Sequence, residues 1–209
     1  MRILTEHESK KLLAEYGIPV TREAVARSRE DALLLADEIG FPVAMKISSA
    51  DIAHKNAAGC VLLGVEKPDA GDAFDTLVEN AKKYAPDARI DGVLVQEMVQ
   101  RGTEIIIGIK YDPQFGRAVM FGLGGIFVEV LEDVSLRIAP LKERDAIDMT
   151  EEIRGRSILS GCDTRSIVDV LLKVSDMATE GDILELDINP LIACERGVVA
   201  VDARAILEG

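Results

Sequence analysis

Soft metal ligands are scarce in this sequence. Its 209 residues include three cysteines, Cys60, Cys162 and Cys194, and two histidines, His7 and His54. The cysteines are odd in number, widely spaced and form no knuckle, so a structural zinc site has too few ligands. A chain of this length needs no disulfide, and a reducing, cytoplasmic setting is the simplest one. Long apolar runs are missing too. The longest uncharged one, Ala118 to Val128, has 11 residues and three glycines, whereas a transmembrane helix needs about 20. Met1-Arg2-Ile3-Leu4, followed by Thr5-Glu6-His7-Glu8, has neither the apolar core nor the small-residue cleavage pattern of a secretory leader, and none is expected. Positive charge is in deficit: 24 basic against 37 acidic residues leave a formal charge of −13. Such a chain repels polyphosphates, which excludes sequence-independent binding of nucleic acid or an anionic membrane. A local positive pocket for a small anionic ligand stays open. With 48% hydrophobic and 29% charged residues, the composition is that of a folded chain, long enough for one large domain or two small lobes.

Local patterns mix helices and short strands. A helix is predicted over Glu6–Tyr16, capped by Thr5 and stopped by Gly17. A second, framed by Ser28 and Asp31, ends at Gly40 before Pro42. Strands are predicted at Val43–Ile47, Cys60–Val65, Val93–Met98, Glu104–Lys110 and Arg117–Phe121, with a helix over Pro68–Tyr84. A glycine-rich stretch, Gly122-Leu123-Gly124-Gly125, opens into Ile126–Val130. Helices follow at Glu143–Ile153 and Thr164–Met177. Asp182–Ile188 and Gly197–Val201 read as paired strands around a link at Asn189–Arg196. There is no repeat and no low-complexity linker. The mixture favours a layered α+β or α/β fold over a bundle or a sandwich.

Several residues stand out chemically. Lys46 is a lone cation between Met45 and Ile47. It reads either as a lysine snorkelling from an open sheet face or as a phosphate ligand. Glu185, Asp187 and Asn189 fall on one face of a strand, and Asp202 lies 13 residues beyond Asn189 at the end of a returning strand. Such hard oxygen donors suit Mg²⁺ shared with nucleotide phosphates; a solvated strand edge is the alternative. The glycines at 122–125 lack the spacing of a dinucleotide fingerprint or a Walker loop, and tight turns account for them equally well. Glu97 and Glu104 flank a link between strands. If that link is a hinge, Gln96 to Val99 offer backbone groups to a base and Glu104 accepts from ribose hydroxyls; otherwise both are surface acids. His54 sits in a polar loop, Asp51-Ile52-Ala53-His54-Lys55-Asn56. It is either an exposed side chain or a nucleophile toward phosphorus. The cysteines pair with no histidine and look structural.

Taken together, these segments resemble the ATP-grasp domain of NDP-forming acyl-CoA synthetases, especially the beta subunit of ADP-forming acetyl-CoA synthetase. The similarity runs through Tyr16-Gly17-Ile18-Pro19-Val20, Gly40-Phe41-Pro42-Val43-Ala44-Met45-Lys46 and the His54-Lys55 loop. It continues in Val95-Gln96-Glu97-Met98-Val99, in Met120 to Val130, and in Leu186-Asp187-Ile188-Asn189-Pro190-Leu191. The resemblance implies an α+β ATP-grasp fold, two α/β lobes with mainly antiparallel sheets clamping a nucleotide. Residues 1–95 would form the N-terminal helix and first lobe, 96–99 the hinge, and 100–209 the second lobe with the magnesium site. Lys46 would contact ATP phosphates. Gln96, Glu97, Met98 and Val99 would bind adenine, Glu104 ribose, and Gly124, Gly125 and Arg137 the phosphate region. Asn189 and Asp202 would hold Mg²⁺. His54 would carry a phosphoryl group transiently between a partner histidine and ADP, as in the reversible reaction of acyl-CoA, ADP and phosphate to acid, CoA and ATP. CoA-binding and ligase domains would come from an alpha subunit, in an α2β2 complex.

Two departures accompany the resemblance. The segment Ile158–Arg165 is shorter than the family's and lacks its second glycine with arginine, and the hairpin before Asp202 is about one residue shorter. A salt bridge within the lobe is an alternative role for Arg137. A nucleotide-sensing or regulatory ATP-grasp module of an acyltransferase complex is the alternative function. A ligase working alone is disfavoured because acid and acceptor sites are missing.

Overall fold

The structure, a computed structural model, describes residues 1–99, 102–125 and 133–209. The elements in chain order are β1 (Arg2–Ile3), α1 (Glu6–Glu15), β2 (Glu23–Ala26), α2 (Arg29–Ile39), β3 (Val43–Ser48), β4 (Val61–Val65), α3 (Ala70–Tyr84) and β5 (Gly92–Glu97). They continue with β6 (Thr103–Asp112), β7 (Gly116–Leu123), β8 (Val134–Ile138), α4 (Glu143–Glu152), α5 (Thr164–Glu180), β9 (Ile183–Ala193), β10 (Val198–Ala200) and β11 (Ala203–Leu207). Two compact units form. One comprises Thr5–His7 and Thr21–Val99; the other comprises Met1–Leu4, Glu8–Val20 and Gln100–Gly209. No helix among the described residues is long and apolar enough to cross a membrane.

The first unit is a four-stranded antiparallel sheet in the order β2-β5-β3-β4 with α2 and α3. Its helices are delimited as the sequence predicts. The Ser28 side chain accepts from the Asp31 amide at the start of α2, and Gly40, at φ +98°, ends it in a conformation that only glycine adopts cheaply. Small residues along the inner stripes, Ala32 and Ala36 on α2 and Ala70, Ala73 and Ala81 on α3, let both helices lie close to the sheet. Central strand β3 is buried along its whole length. Val43, Met45 and Ile47 join the core with the helices, so alternation turns Ala44, Lys46 and Ser48 to the other face.

The larger unit is built on a sheet in the order β1-β11-β9-β6-β7-β8, with β10 on β9. On one side pack α4 and α5. The residues Ile167, Val170, Leu171, Val174 and Met177 make the buried stripe of α5 at helical spacing. They meet Ile105, Ile107 and Ile109 of β6, Val119 and Phe121 of β7, and Leu186 and Ile188 of β9 in one core. Each such side chain contributes about 1.5–3 kcal/mol on burial. The same alternation leaves Leu136 and Ile138, 54% and 50% exposed, on the opposite face beside Met120 and Ala118.

Several sequence expectations change. The segment Gly197–Val201 does not pair with Asp182–Ile188. Instead β9 runs on through Asn189-Pro190, β10 pairs with Leu191–Ala193, and β11 takes the partnership with Ile183–Ile188. β1, β2, β8 and β11 were not predicted. The N-terminal helix, grouped by sequence with the first lobe, has most of its length in the larger unit, because Leu13 and the following Ile18 pack into that core. The predicted extension at Ile126–Val130 lies outside the described residues.

The turn before α5 is tied by one carboxylate. Asp163 accepts from the Ser166 amide and hydroxyl and from the Gly197 amide, at 3.1, 2.8 and 3.0 Å. The Ser166 hydroxyl, followed by the Gly197 amide, holds this carboxyl below its ordinary range. A lowered acid contributes stability that is complete above the unfolded value near 3.9 and is lost as pH falls through the folded one. Asp163→Asn therefore lowers Tm at pH 7, and the gap to wild type narrows toward pH 3. Thermal unfolding across that range checks it, and equal Tm values at pH 7 would contradict it.

Candidate functional site

Lys46 has none of the solvent access that snorkelling requires, with a side chain 6% exposed. Its ammonium donates to Glu6 Oε1 at 2.7 Å, and Glu6 Oε2 accepts from Lys55 at 2.5 Å. Two ammonium groups thus share one buried carboxylate, which offsets part of the desolvation cost of both. Lys55 immediately follows His54, which is exposed in the turn after β3. That turn is closed by backbone bonds from Ala58 to His54 and from Cys60 to Lys55, and its far end is held by the Asn80 side-chain amide on the Gly59 carbonyl. Ile52, fully buried, anchors the near end.

At the end of β5 the predicted hinge residues divide by environment. Gln96 is buried, Glu97 half-buried, Met98 exposed and Val99 half-buried. The Glu97 carboxylate accepts from the Arg22 amide and from its guanidinium, at 2.8 and 2.7 Å. Its side chain is therefore committed, and what Glu97 has to offer a ligand is backbone. Gln100 and Arg101, in the predicted link, lie outside the described residues.

In the larger unit, Glu104, Gly124 and Gly125 come together. The Gly124 amide donates to the Glu104 carbonyl at 2.7 Å. A side chain at 124 would press on Glu104 Cβ, and Gly125, at φ +63°, sits beside the Glu104 carboxylate. These glycines are required by close backbone approach and a left-handed turn. Arg137 is held differently: its guanidinium makes a two-pronged bond with Glu152 at 2.8 and 2.7 Å, and Glu152 also accepts from Ser135. The within-lobe salt bridge is thus formed.

Asn189 on β9 and Asp202, in the link just before β11, are joined through the main chain, the Asn189 backbone amide donating to the Asp202 carbonyl at 3.1 Å. A bulge produces this arrangement. Between the pairs Ile105–Leu191 and Ile107–Ile188, one residue of β6 faces two of β9, Asn189 and Pro190. Proline, lacking an amide hydrogen, is tolerated there, and the bulge turns Asn189 out to an exposed position. Glu185, Asp187 and Asn189 share the face away from the helices, as the alternation predicts.

Asp187, which the sequence placed on this face without assigning it a role, is the most unusual of the three. Its Oδ1 is buried and makes no hydrogen bond among the described residues. Burial, then the nearby Glu185, pushes its carboxyl above the ordinary range, while Arg204 acts in the opposite sense. Opposite it stands Gly108, which contributes no side chain. Glu185 is itself compensated by Lys110 at 2.9 Å and Arg204 at 3.6 Å. Among the described residues no three His, Cys, Asp or Glu side chains assemble a metal cage. The donor set fits a magnesium ion completed by phosphates and water: an amide and a carboxylate oxygen side by side, with an uncompensated carboxylate oxygen two residues away.

Known proteins are similar to this chain in sequence and fold. A family model described as an ATP-grasp domain matches residues 1–207. The beta subunit of ADP-forming acetate–CoA ligase I from Pyrococcus furiosus is 47% identical over 214 residues, covering 99% of this chain and 92% of that one. The chain belongs to the ATP-grasp family, among the beta subunits of ADP-forming acyl-CoA ligases. A dinucleotide-forming acetyl-coenzyme A synthetase 1 of Ca. Korarchaeum cryptofilum, in complex with coenzyme A, Ca-AMPCP and HgCl+, superposes with a TM-score of 0.96 at 43% identity, covering 99% of this chain and 94% of that one. The same enzyme with coenzyme A and Mg-AMPPCP, its phosphohistidine segment pointing towards the nucleotide binding site, gives 0.85 at 40% identity, covering 99% and 93%. Two antiparallel sheets with helices are the architecture of this family, and the α+β ATP-grasp expectation holds.

A buried carboxylate oxygen with no hydrogen bond among the described residues is a stability cost of the kind retained at ligand sites. Asp187→Asn removes the charge and keeps the shape. It should raise Tm at pH 7 by roughly 2–4 °C, the equivalent of about 1 kcal/mol in a chain of this size. The thermal upshift given by Mg·ATP should shrink in the same variant. A variant less stable than wild type, with an unchanged Mg·ATP upshift, would refute the assignment.

Proposed function

We propose that this chain is the nucleotide-binding beta subunit of an acyl-CoA synthetase interconverting acyl-CoA, ADP and phosphate with the free acid, CoA and ATP. The observation that carries the reading is the bulge-presented Asn189 beside Asp202, an oxygen pair suited to a metal–nucleotide complex, on the face that also holds Asp187. Lys46 donates to phosphate oxygens from a buried position, where a charge-assisted bond is stronger than in water. The backbone of Gln96 to Val99 contacts the base, Glu104 accepts from ribose hydroxyls, and Gly124 and Gly125 allow phosphate to approach the main chain. Arg137 reaches phosphate only by leaving Glu152. Asn189 and Asp202 hold Mg²⁺, which when bound neutralises phosphate charge.

His54 is the relay. An imidazole nitrogen takes the phosphoryl group from a histidine of the partner subunit: a P–N bond forms at His54 as the donor's P–N bond breaks. An oxygen of the ADP β-phosphate then attacks phosphorus, the second P–N bond breaks, and its electron pair returns to the His54 ring. Exposure of His54 in its turn suits a group that meets another chain. The partner is an alpha subunit carrying CoA-binding and ligase domains, in an α2β2 complex in the cytoplasm.

The test is ATP formation from acyl-CoA, ADP and phosphate by the chain co-purified with that alpha subunit. Lys46→Met should weaken Mg·ADP binding by about tenfold or more, the equivalent of about 1.4 kcal/mol. His54→Asn should abolish net turnover and phosphohistidine while keeping Mg·ADP affinity within about twofold, because it alters the acceptor and not the nucleotide contacts. Asn189→Ala should raise the magnesium concentration needed for half-maximal turnover. Full turnover by His54→Asn would exclude the relay, and a complex that binds nucleotide without ever forming ATP would favour a sensing module.

A further inference from the structure

The Glu6 carboxylate does more than compensate a buried lysine. Its two oxygens go to two different lysines: Oε1 to Lys46 in the centre of β3, and Oε2 to Lys55 in the turn that carries His54. All three side chains are withdrawn from solvent, at 2% for Glu6, 6% for Lys46 and 14% for Lys55. The backbone bonds of the turn close it on itself and on β3, and the Asn80 contact is at Gly59, five residues beyond His54. The Glu6–Lys55 ion pair ties the residue next to His54 to the carboxylate that also holds the phosphate-binding lysine.

We propose that Glu6 is a positioning residue for phosphoryl transfer, acting through Lys55 to hold the His54 turn in register with Lys46. The inference rests on the relay reading above and extends it to a residue that no nucleotide contact requires. Physically, Lys55 restricts the turn only while its ammonium has a buried anionic partner. Without one, a four-carbon side chain with a strongly hydrated head moves to water and takes the turn's restraint with it. An acceptor displaced by about 1 Å loses on the order of 10²-fold in transfer rate, while binding of the nucleotide, which does not use the turn, is spared. Lys46 itself stays fixed on the buried strand β3 when Glu6 is neutralised, so affinity for Mg·ADP holds.

The experiment compares Glu6→Gln, Lys55→Met and the double variant in the alpha–beta complex, measuring kcat for ATP formation and Kd for Mg·ADP separately. Each single variant should lower kcat by at least about tenfold with Kd no weaker than wild type, and the double variant should be no slower than the worse single one. A merely structural Glu6 would reduce the yield of active complex or Tm and leave kcat per active site unchanged; that result overturns the inference. So do losses that multiply in the double variant, or a Kd that weakens in proportion to kcat. Should Glu6→Gln not fold, Lys55→Met decides alone by the same split, since it leaves Lys46 with its carboxylate. His54→Asn run alongside separates the two levels: if it turns over, the relay fails; if it is inert while Glu6→Gln and Lys55→Met match wild type, only the positioning role fails.

Discussion

Alternation of side chains across a strand is the constraint on which both units depend. In β3 it sends Val43, Met45 and Ile47 to the helices and Lys46 to the other face; in β9 it sends Leu186 and Ile188 to the core and Glu185, Asp187 and Asn189 away from it. A shift of one residue in either strand would drive the charged set into a helix-packed core and the apolar set out. The core that stabilises each sheet therefore fixes the register of its chemistry. The placement of Lys46 on β3 and of Asp187 and Asn189 on β9 is thus a by-product of hydrophobic burial.

Local signals were legible because they act over a few residues. The Ser28 cap, the Gly40 stop and the apolar stripe of α5 all follow from spacing along the chain, and the structure has them at those positions. The alternating run from Glu185 to Asn189 was legible for the same reason. What failed was the reading of Asn189-Pro190 as the end of a strand. Proline interrupts a ladder in sequence terms, yet here it occupies a bulge where no amide hydrogen is wanted, and β9 continues to Ala193. That single misreading displaced the pairing of β10 and hid β11. β2, β8 and β11 are four or five residues long, each with a charged or polar residue, and acquire strand character only from a neighbour far away in sequence.

The candidate site shows the same division. The individual roles of Lys46, His54, Asn189 and Asp202 came from family resemblance; composition and spacing alone left each with a bland alternative. For Lys46 the structure removes that alternative, since a lysine buried against a carboxylate is not reaching for water. No sequence signal marked Glu6, which stands 40 residues before Lys46 and 49 before Lys55. As the first residue of a helix after Thr5 it is an acid of the kind the helix dipole favours there, which gives it no distinguishing mark. Nor could spacing reveal that Asp187 Oδ1 has no hydrogen bond among the described residues while neighbouring Glu185 has two cationic partners, because both of these, Lys110 and Arg204, lie on adjacent strands.

Net charge and local charge then have separate jobs. A chain at −13 offers a polyphosphate no long-range attraction, so binding must come from groups whose charge is little screened. Burial provides that for Lys46, and it would be ruinous for an ammonium with no anionic neighbour. The Glu6 carboxylate supplies such a neighbour to Lys46 and to Lys55 at once. In the larger unit, Asp187 Oδ1 makes no hydrogen bond among the described residues, two positions before Asn189. An excess of ammonium is complementary to phosphate oxygens, and an excess of carboxylate and amide oxygen is complementary to a divalent cation.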